Sequence, residues 1–127
     1  MMEKIVSGLL ILTGLLNAAP VMGVFGAARL KTMYGLSFGE PNLLVLMQHR
    51  AVLFALIGGF MIAAAFKPAL QPAAFLIGFV SMAAFVWLAW GVPELNGHLR
   101  RVMIADIAGI GALLAAIAIY FLARPQI

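Results

Sequence analysis

The chain has 127 residues, of which 65% are hydrophobic and 9% charged, whereas roughly a quarter of the residues in a soluble domain carry charge. That composition excludes an ordinary soluble domain, and the absence of cysteine removes disulfides, thiol chemistry and thiolate metal sites together. The net charge of +4 comes from cations at segment ends and in short connections, with no basic run interleaved by aromatics, so membrane lipid headgroups are the expected partner and nucleic acid is not.

Four long apolar segments follow from hydropathy, at about residues 5–28, 43–66, 73–92 and 102–123, each reaching the ~20 residues that cross a hydrocarbon core of ~30 Å. The period-2 alternation of a barrel strand is absent, and backbone groups in lipid must be satisfied within their own segment, so the segments are predicted to be helices. The expected fold is all-α: an integral membrane four-helix bundle, one domain over residues 1–127.

The first segment reads as a retained span rather than a signal peptide. Its apolar run continues to Ala28, Pro20 would follow the cut, and Asn17 would occupy a position that wants a small apolar residue. Thr13 and Asn17, four residues apart, share a helix face and offer neutral hydrogen-bonding groups, most often used between helices. Pro20 lies on nearly the same face and leaves a carbonyl near Asn17 without its usual donor.

Residues 29–42 mix charges with Met33, Tyr34, Leu36 and Phe38, as expected of a segment lying in the interface. Glu40-Pro41 then predicts a helix start, because proline suits the first helical position and an acidic side chain before it can accept from unpaired N–H groups. His49 and Arg50 interrupt the second span. An arginine in hydrocarbon persists where it pairs, snorkels to the headgroups or lines a wet cavity, which makes Arg50 the leading candidate for a site.

Lys67 to Pro72 reads as a tight prolyl hairpin, and Asn96-Gly97 as the turn signal between the third and fourth spans. Trp87, Trp90 and Tyr120 lie toward span ends and are expected to be interfacial anchors. Small residues at Ala51, Ala55, Gly59 and Ala63, and at Ala108, Ala112 and Ala116, predict close-packing stripes.

Asp106 lies about one turn inside the fourth span and needs a cation. Arg50 is favoured, since the second and fourth spans run the same way; Arg100, Arg101 and His98 are the alternatives. His49, Arg50 and Asp106 all fall opposite the small-residue stripes, so the bulky arcs of their helices are expected to line a pocket. The two histidines would suit axial haem ligation, but His98 falls in a turn and His49 beside a repelling arginine, and neither metal nor cofactor is expected.

Four spans place Arg29, Lys31, Arg50, Arg100 and Arg101 on one side of the bilayer and Lys4, Lys67 and Arg124 on the other. This bias puts the polar side in the cytoplasm.

The run from Glu40-Pro41-Asn42 through Gln48-His49-Arg50 to Phe54, followed by Gly58-Gly59 and by Ala105-Asp106 at the fourth span, resembles a group of small bacterial four-helix membrane proteins. Members often carry the label phosphopantetheine adenylyltransferase, and they look broadly like DoxX-type proteins, small integral membrane proteins linked to oxidoreductase systems. The resemblance implies a bacterial inner-membrane protein without implying a reaction. The adenylyltransferase label does not fit, because that soluble family uses a His-x-Gly-His motif in a nucleotide-binding fold, and Leu95 stands where Gly97-His98 would need the first histidine.

The leading expectation is a binding protein with a one-sided polar pocket for a lipid-like or quinone-like ligand, formed by His49, Arg50, Asp106, Asn17, His98 and Arg101. Two other classes stay open. One is an oxidoreductase or isomerase using Asp106 or His98 as proton donor to a membrane-dissolved substrate; the other is a structural subunit, joined to a second copy or a larger membrane complex through its small-residue stripes.

Overall fold

Glu40 starts α3 (Pro41–Ala65) as its sequence predicts. Its carboxylate accepts from the backbone N–H groups of Asn42 at 3.1 Å and Leu43 at 2.9 Å, with Pro41 in the first turn. The computed structural model describes residues 2–19, 26–34, 36 and 40–123 of the chain, and Pro20, Phe38 and Arg124 lie outside them. The other helices are α1 (Met2–Ala18), α2 (Ala27–Tyr34), α4 (Gln71–Trp90) and α5 (Gly97–Ala123), with a 3-10 turn at Pro68–Leu70. No strand occurs among the described residues.

α3, α5 and the unit of 3-10 turn plus α4 are each long and apolar enough to cross a membrane. α1 has 17 residues; at the 1.5 Å rise of an α-helix it extends about 25 Å. The first span expected from hydropathy, 5–28, is therefore not one described helix. α1 stops at Ala18, just before the position preceding Pro20, where helical backbone is disfavoured. Gly26 has φ 124°, a conformation only glycine adopts without strain, and α2 sets off from it.

α1 packs on α3 and on α5, and α4 joins α3 to α5 on the opposite side, so that α1 and α4 meet only lightly across the middle. Consecutive long helices run in opposite directions. Thus Ser7, near the start of α1, donates to the carbonyl of Ala65 at the end of α3, at 2.6 Å. Gln71 donates to Ala64 O at 3.2 Å, so the turn leading into α4 also satisfies a C-terminal carbonyl of α3.

The closest seam is α1 against α3. A Cβ at Gly58 would strike the carbonyl oxygen of Gly14 and come within 2.7 Å of Ala18 N, and one at Gly14 would lie 2.8 Å from Gly58 O. The backbones touch because both side chains are absent. Elsewhere methionines fill the space above glycines. A Cβ at Gly78 would meet Met61 Cε at 2.6 Å, and one at Gly109 would meet Met82 Sδ at 2.6 Å, both methionines being fully buried.

The small-residue stripes pack differently from expectation. In α3 the buried positions are Ala51, Gly58, Met61, Ala64 and Ala65, while Gly59 and Ala63 face outward and nothing lies within 4 Å of a Cβ at Gly59. A four-residue spacing precesses about 40° per step on a helix of 3.6 residues per turn, so three steps carry the stripe about 120° off the contact face. In α5 the buried line is Gly109, Leu113 and Ala116, with Ala108 exposed. Bulky Leu113 thus faces inward, on the same arc as Asp106.

Trp87 and Trp90 are 80% and 76% exposed, a placement suited to interfacial anchors. Tyr120 differs from that expectation. It is half-buried and stacks edge-on against Phe75, with ring centroids 5.4 Å apart, so its aromatic face serves packing.

Replacing Gly58 by Ala is expected to cost about 1–3 kcal/mol, the usual penalty of overpacking a rigid contact, whereas Gly59→Ala should leave unfolding in mixed micelles unchanged. Equal effects from the two variants would contradict the close α1–α3 seam. The two N–H groups donating to Glu40 hold its carboxyl below the ordinary 4.5. Stabilisation of the first turn of α3 is therefore complete above that value and lost as pH falls through the lowered one. The amide shifts of Asn42 and Leu43 should titrate below 4.5 and stop titrating in Glu40→Gln; a midpoint at or above it would refute the cap.

Candidate functional site

Arg50 and Asp106 each lie nine residues past the first residue of their helices, α3 and α5. Because these helices run the same way on opposite sides of the ring, both side chains reach the same level, about 13 Å from the helix starts. They line one cavity of about 260 Å³ near the end of the bundle where α2 sits. Leu16 and Asn17 contribute the α1 wall, Tyr34 the α2 wall, Phe54 stands beside Arg50, and Phe85 enters from α4.

Arg50 is held from several directions. Its Nη1 donates to the hydroxyl of Tyr34 at 2.8 Å, and its Cζ lies 4.5 Å from the ring centroid of Phe54, 5.4 Å from that of Tyr34 and 5.9 Å from that of Phe85. Phe54 sits one turn after Arg50 on the same face, so the closest of these contacts is built into the sequence spacing. Ring faces attract a guanidinium through their quadrupoles, and the attraction grows as water is removed. The charge is therefore stabilised inside the helices by π-faces and one hydroxyl.

Tyr34 is buried and ends α2, so its position depends on that short helix. Asn96 fixes it. The Asn96 side chain donates to Tyr34 O at 2.8 Å and accepts from Leu99 N at 2.7 Å, while its carbonyl takes the Arg100 N–H at 2.9 Å. One residue thus caps α5 and closes the C-terminal carbonyl of α2. Around Tyr34 pack Met33, Leu44, Met47, Leu99 and Val102, a small apolar cluster apart from the main core.

Asp106 is half-buried and faces Arg50 across the cavity. Among the described residues it makes no hydrogen bond, and no buried side-chain nitrogen or oxygen lacks a partner, so its oxygens keep access to the cavity space. The two charges share a hollow without a contact ion pair, leaving room between them for a polar group.

Asn17 is buried and fully engaged along its own helix and across to α4. Its amide donates to Thr13 O at 2.9 Å, and Ser81 Oγ donates to its Oδ1 at 3.1 Å. It forms an interhelical tie as well as part of the cavity wall. Thr13 bonds back to Leu9 O at 2.8 Å and does not reach the cavity.

The residues grouped by sequence therefore separate. Arg50, Asp106 and Asn17 line one cavity, while His49, His98 and Arg101 are exposed and none of them lines it. One residue of helical rotation turns His49 about 100° from Arg50, and His98 and Arg101 belong to the start of α5, nearer its end than Asp106. Tyr34, Phe85 and Asn96 were not among the candidates. Phe54 was readable from its spacing to Arg50, and Ser81 as a lone hydroxyl in an otherwise apolar helix, but Tyr34 lies in a segment whose reach to Arg50 has no sequence signature.

Comparison with family models, with curated proteins and with solved structures returns no match. The chemistry is read from this cavity alone: a fixed donor, an open carboxylate on the facing wall, and apolar or aromatic surface between them.

Asn96→Ala is expected to remove about 1 kcal/mol of capping free energy and to speed amide exchange in both α2 and the first turn of α5. Acceleration confined to α5 would show that α2 is held by something other than the Asn96 amide.

Proposed function

We propose that this chain is a multi-pass membrane protein, a four-helix bundle of a bacterial inner membrane, whose cavity binds the head of a lipid-like molecule of the quinone type. The observation that carries the reading is the placement of Arg50 and Asp106 at one level on facing walls of a cavity otherwise lined by apolar and aromatic groups. Outside it, large apolar side chains such as Leu12, Leu46, Leu56 and Leu122 are exposed along the helices, which suits a lipid surroundings and not water.

The charge balance supports the choice of head. One cation and one carboxylate cancel at the site, so a phosphate-bearing head would meet Asp106 as well as Arg50, and it would lack the cluster of cations such groups attract. A neutral ring bearing carbonyl or hydroxyl oxygens suits both walls: the guanidinium donates to one oxygen, Asp106 meets a hydroxyl on the other side, and Phe54 and Phe85 lie against the ring. On this reading the cavity end faces the cytoplasm, in keeping with the excess of Lys and Arg there.

Native mass spectrometry of protein released from membranes in mild detergent tests this directly. Wild-type protein and His49→Ala are expected to retain a neutral prenylated or acylated carbonyl lipid, whereas Arg50→Ala should lose it. Affinity should fall by about tenfold or more, as for a lost hydrogen bond to a charged group. Equal retention by Arg50→Ala would sink the reading.

A further inference from the structure

The cavity has a neighbour. A second hollow of about 490 Å³ runs between α3 and α4 on the outer surface, walled by Leu53 and Ile57 on one side and by Leu76, Ile77 and Val80 on the other. Arg50 and Phe54 border both spaces. Ser81 borders the groove, and its hydroxyl is bonded to Asn17, which lines the cavity. The two spaces are therefore adjoining rooms divided by two side chains of α3 and the Asn17–Ser81 hydrogen bond.

We infer that the α3–α4 groove seats the hydrocarbon tail of the molecule whose head occupies the cavity, and that this ligand enters sideways from the bilayer between α3 and α4. The inference rests on the proposed head-binding cavity and adds the route and the tail site. Three observations carry it. The groove adjoins the cavity across Arg50 and Phe54, which line both, so a single molecule with a polar head and an apolar tail is complementary to the pair. Its walls are exposed aliphatic side chains, with Leu53, Leu76 and Val80 each more than two-fifths exposed. Of the four seams between neighbouring long helices, α3–α4 is also the most sparsely packed, whereas α1 and α3 meet backbone to backbone.

Met61 over Gly78 packs the middle of this seam, and among the described residues the hydrogen bonds across it lie at its far end. The 3-10 turn Pro68–Leu70 and the Gln71 side chain, bonded to Ala64 O, tie α3 to α4 there. Toward the cavity the seam is bridged by side chains, with Arg50 of α3 against the Phe85 ring of α4. Leu76 to Ala84 covers about 12 Å of α4 at 1.5 Å per residue, so the groove holds the part of the tail next to the head and leaves the rest among lipid chains. A tail already dissolved in lipid gains little hydrophobic free energy on moving into a lipid-facing groove, and the site therefore acts on route and orientation more than on affinity.

Photolabelling in nanodiscs separates the head site from the tail site. Two decyl-benzoquinone probes would be used, one carrying a diazirine on the ring and one on the tail four carbons from it, each with and without excess unlabelled decyl-benzoquinone. The tail probe is expected to label Leu53, Ile57 or the stretch from Leu76 to Val80, in a manner the competitor removes. The ring probe should label around Tyr34, Phe54 and Phe85. Val80→Trp, and independently Leu76→Trp, should cut tail labelling in the groove by roughly tenfold, about 1.4 kcal/mol, with far-UV circular dichroism unchanged. Competed ring labelling in the cavity with tail labelling beside Trp87 and Trp90 on the α4–α5 side, or spread evenly around the helices, would overturn the lateral route while leaving the cavity reading intact. No competed ring labelling in the cavity would overturn both.

Discussion

A guanidinium nine residues inside an apolar helix is the constraint on which the rest of this structure turns. Insertion scales put an arginine at the centre of a membrane helix at about 2.5–3.5 kcal/mol unfavourable, and the side chain must find partners or reach the headgroups. Here three aromatic rings and the Tyr34 hydroxyl supply them. The requirement then propagates outward. Tyr34 has to be delivered by α2, α2 has to be fastened to α5, and Asn96 does both jobs by capping one helix and holding the last carbonyl of the other.

The second organising fact is asymmetry between seams. Gly14 and Gly58 bring α1 and α3 into backbone contact, and Met61 and Met82 fill the space over Gly78 and Gly109. The middle and the Gln71 end of the molecule are thereby packed shut, around fully buried Leu10, Met61, Met82 and Leu113. The end with α2 is propped apart by the long side chains of Arg50, Phe54 and Phe85, which face one another and leave a hollow between them. Close packing at one end and large groups at the other leave the cavity at the end with α2.

Much of this was legible in the chain. Hydropathy located α3, α4 and α5 to within a few residues, except that α5 starts five residues early, since Asn96 caps it where Asn96-Gly97 read as a turn signal. Glu40-Pro41 marked the start of α3 because its chemistry is local. The cavity level of Arg50 and Asp106 followed from helix direction and depth. The small-residue stripes do not mark the contact face, because an i to i+4 spacing winds off one face of a helix, and the contact glycine is Gly58 rather than Gly59. His49, His98 and Arg101 share the polar end of the molecule with Arg50 and Asp106, but rotation about the helix axis turns His49 away, and His98 and Arg101 lie at the start of α5, short of the cavity. Tyr34 could not be read, because its contact with Arg50 depends on how α2 folds back, which no periodicity records.

Arg50 stays inside the helices instead of snorkelling to the lipid headgroups. Rotational-echo dephasing between ¹³C at Arg50 Cζ and lipid ³¹P, in bilayers, with Arg29, Arg100, Arg101 and Arg124 replaced by Lys, tests this placement. A carbon 4.5 Å from the Phe54 ring centroid and beside the Tyr34 hydroxyl should show no dephasing by phosphorus. Strong dephasing, placing the guanidinium at the headgroups, would contradict the account.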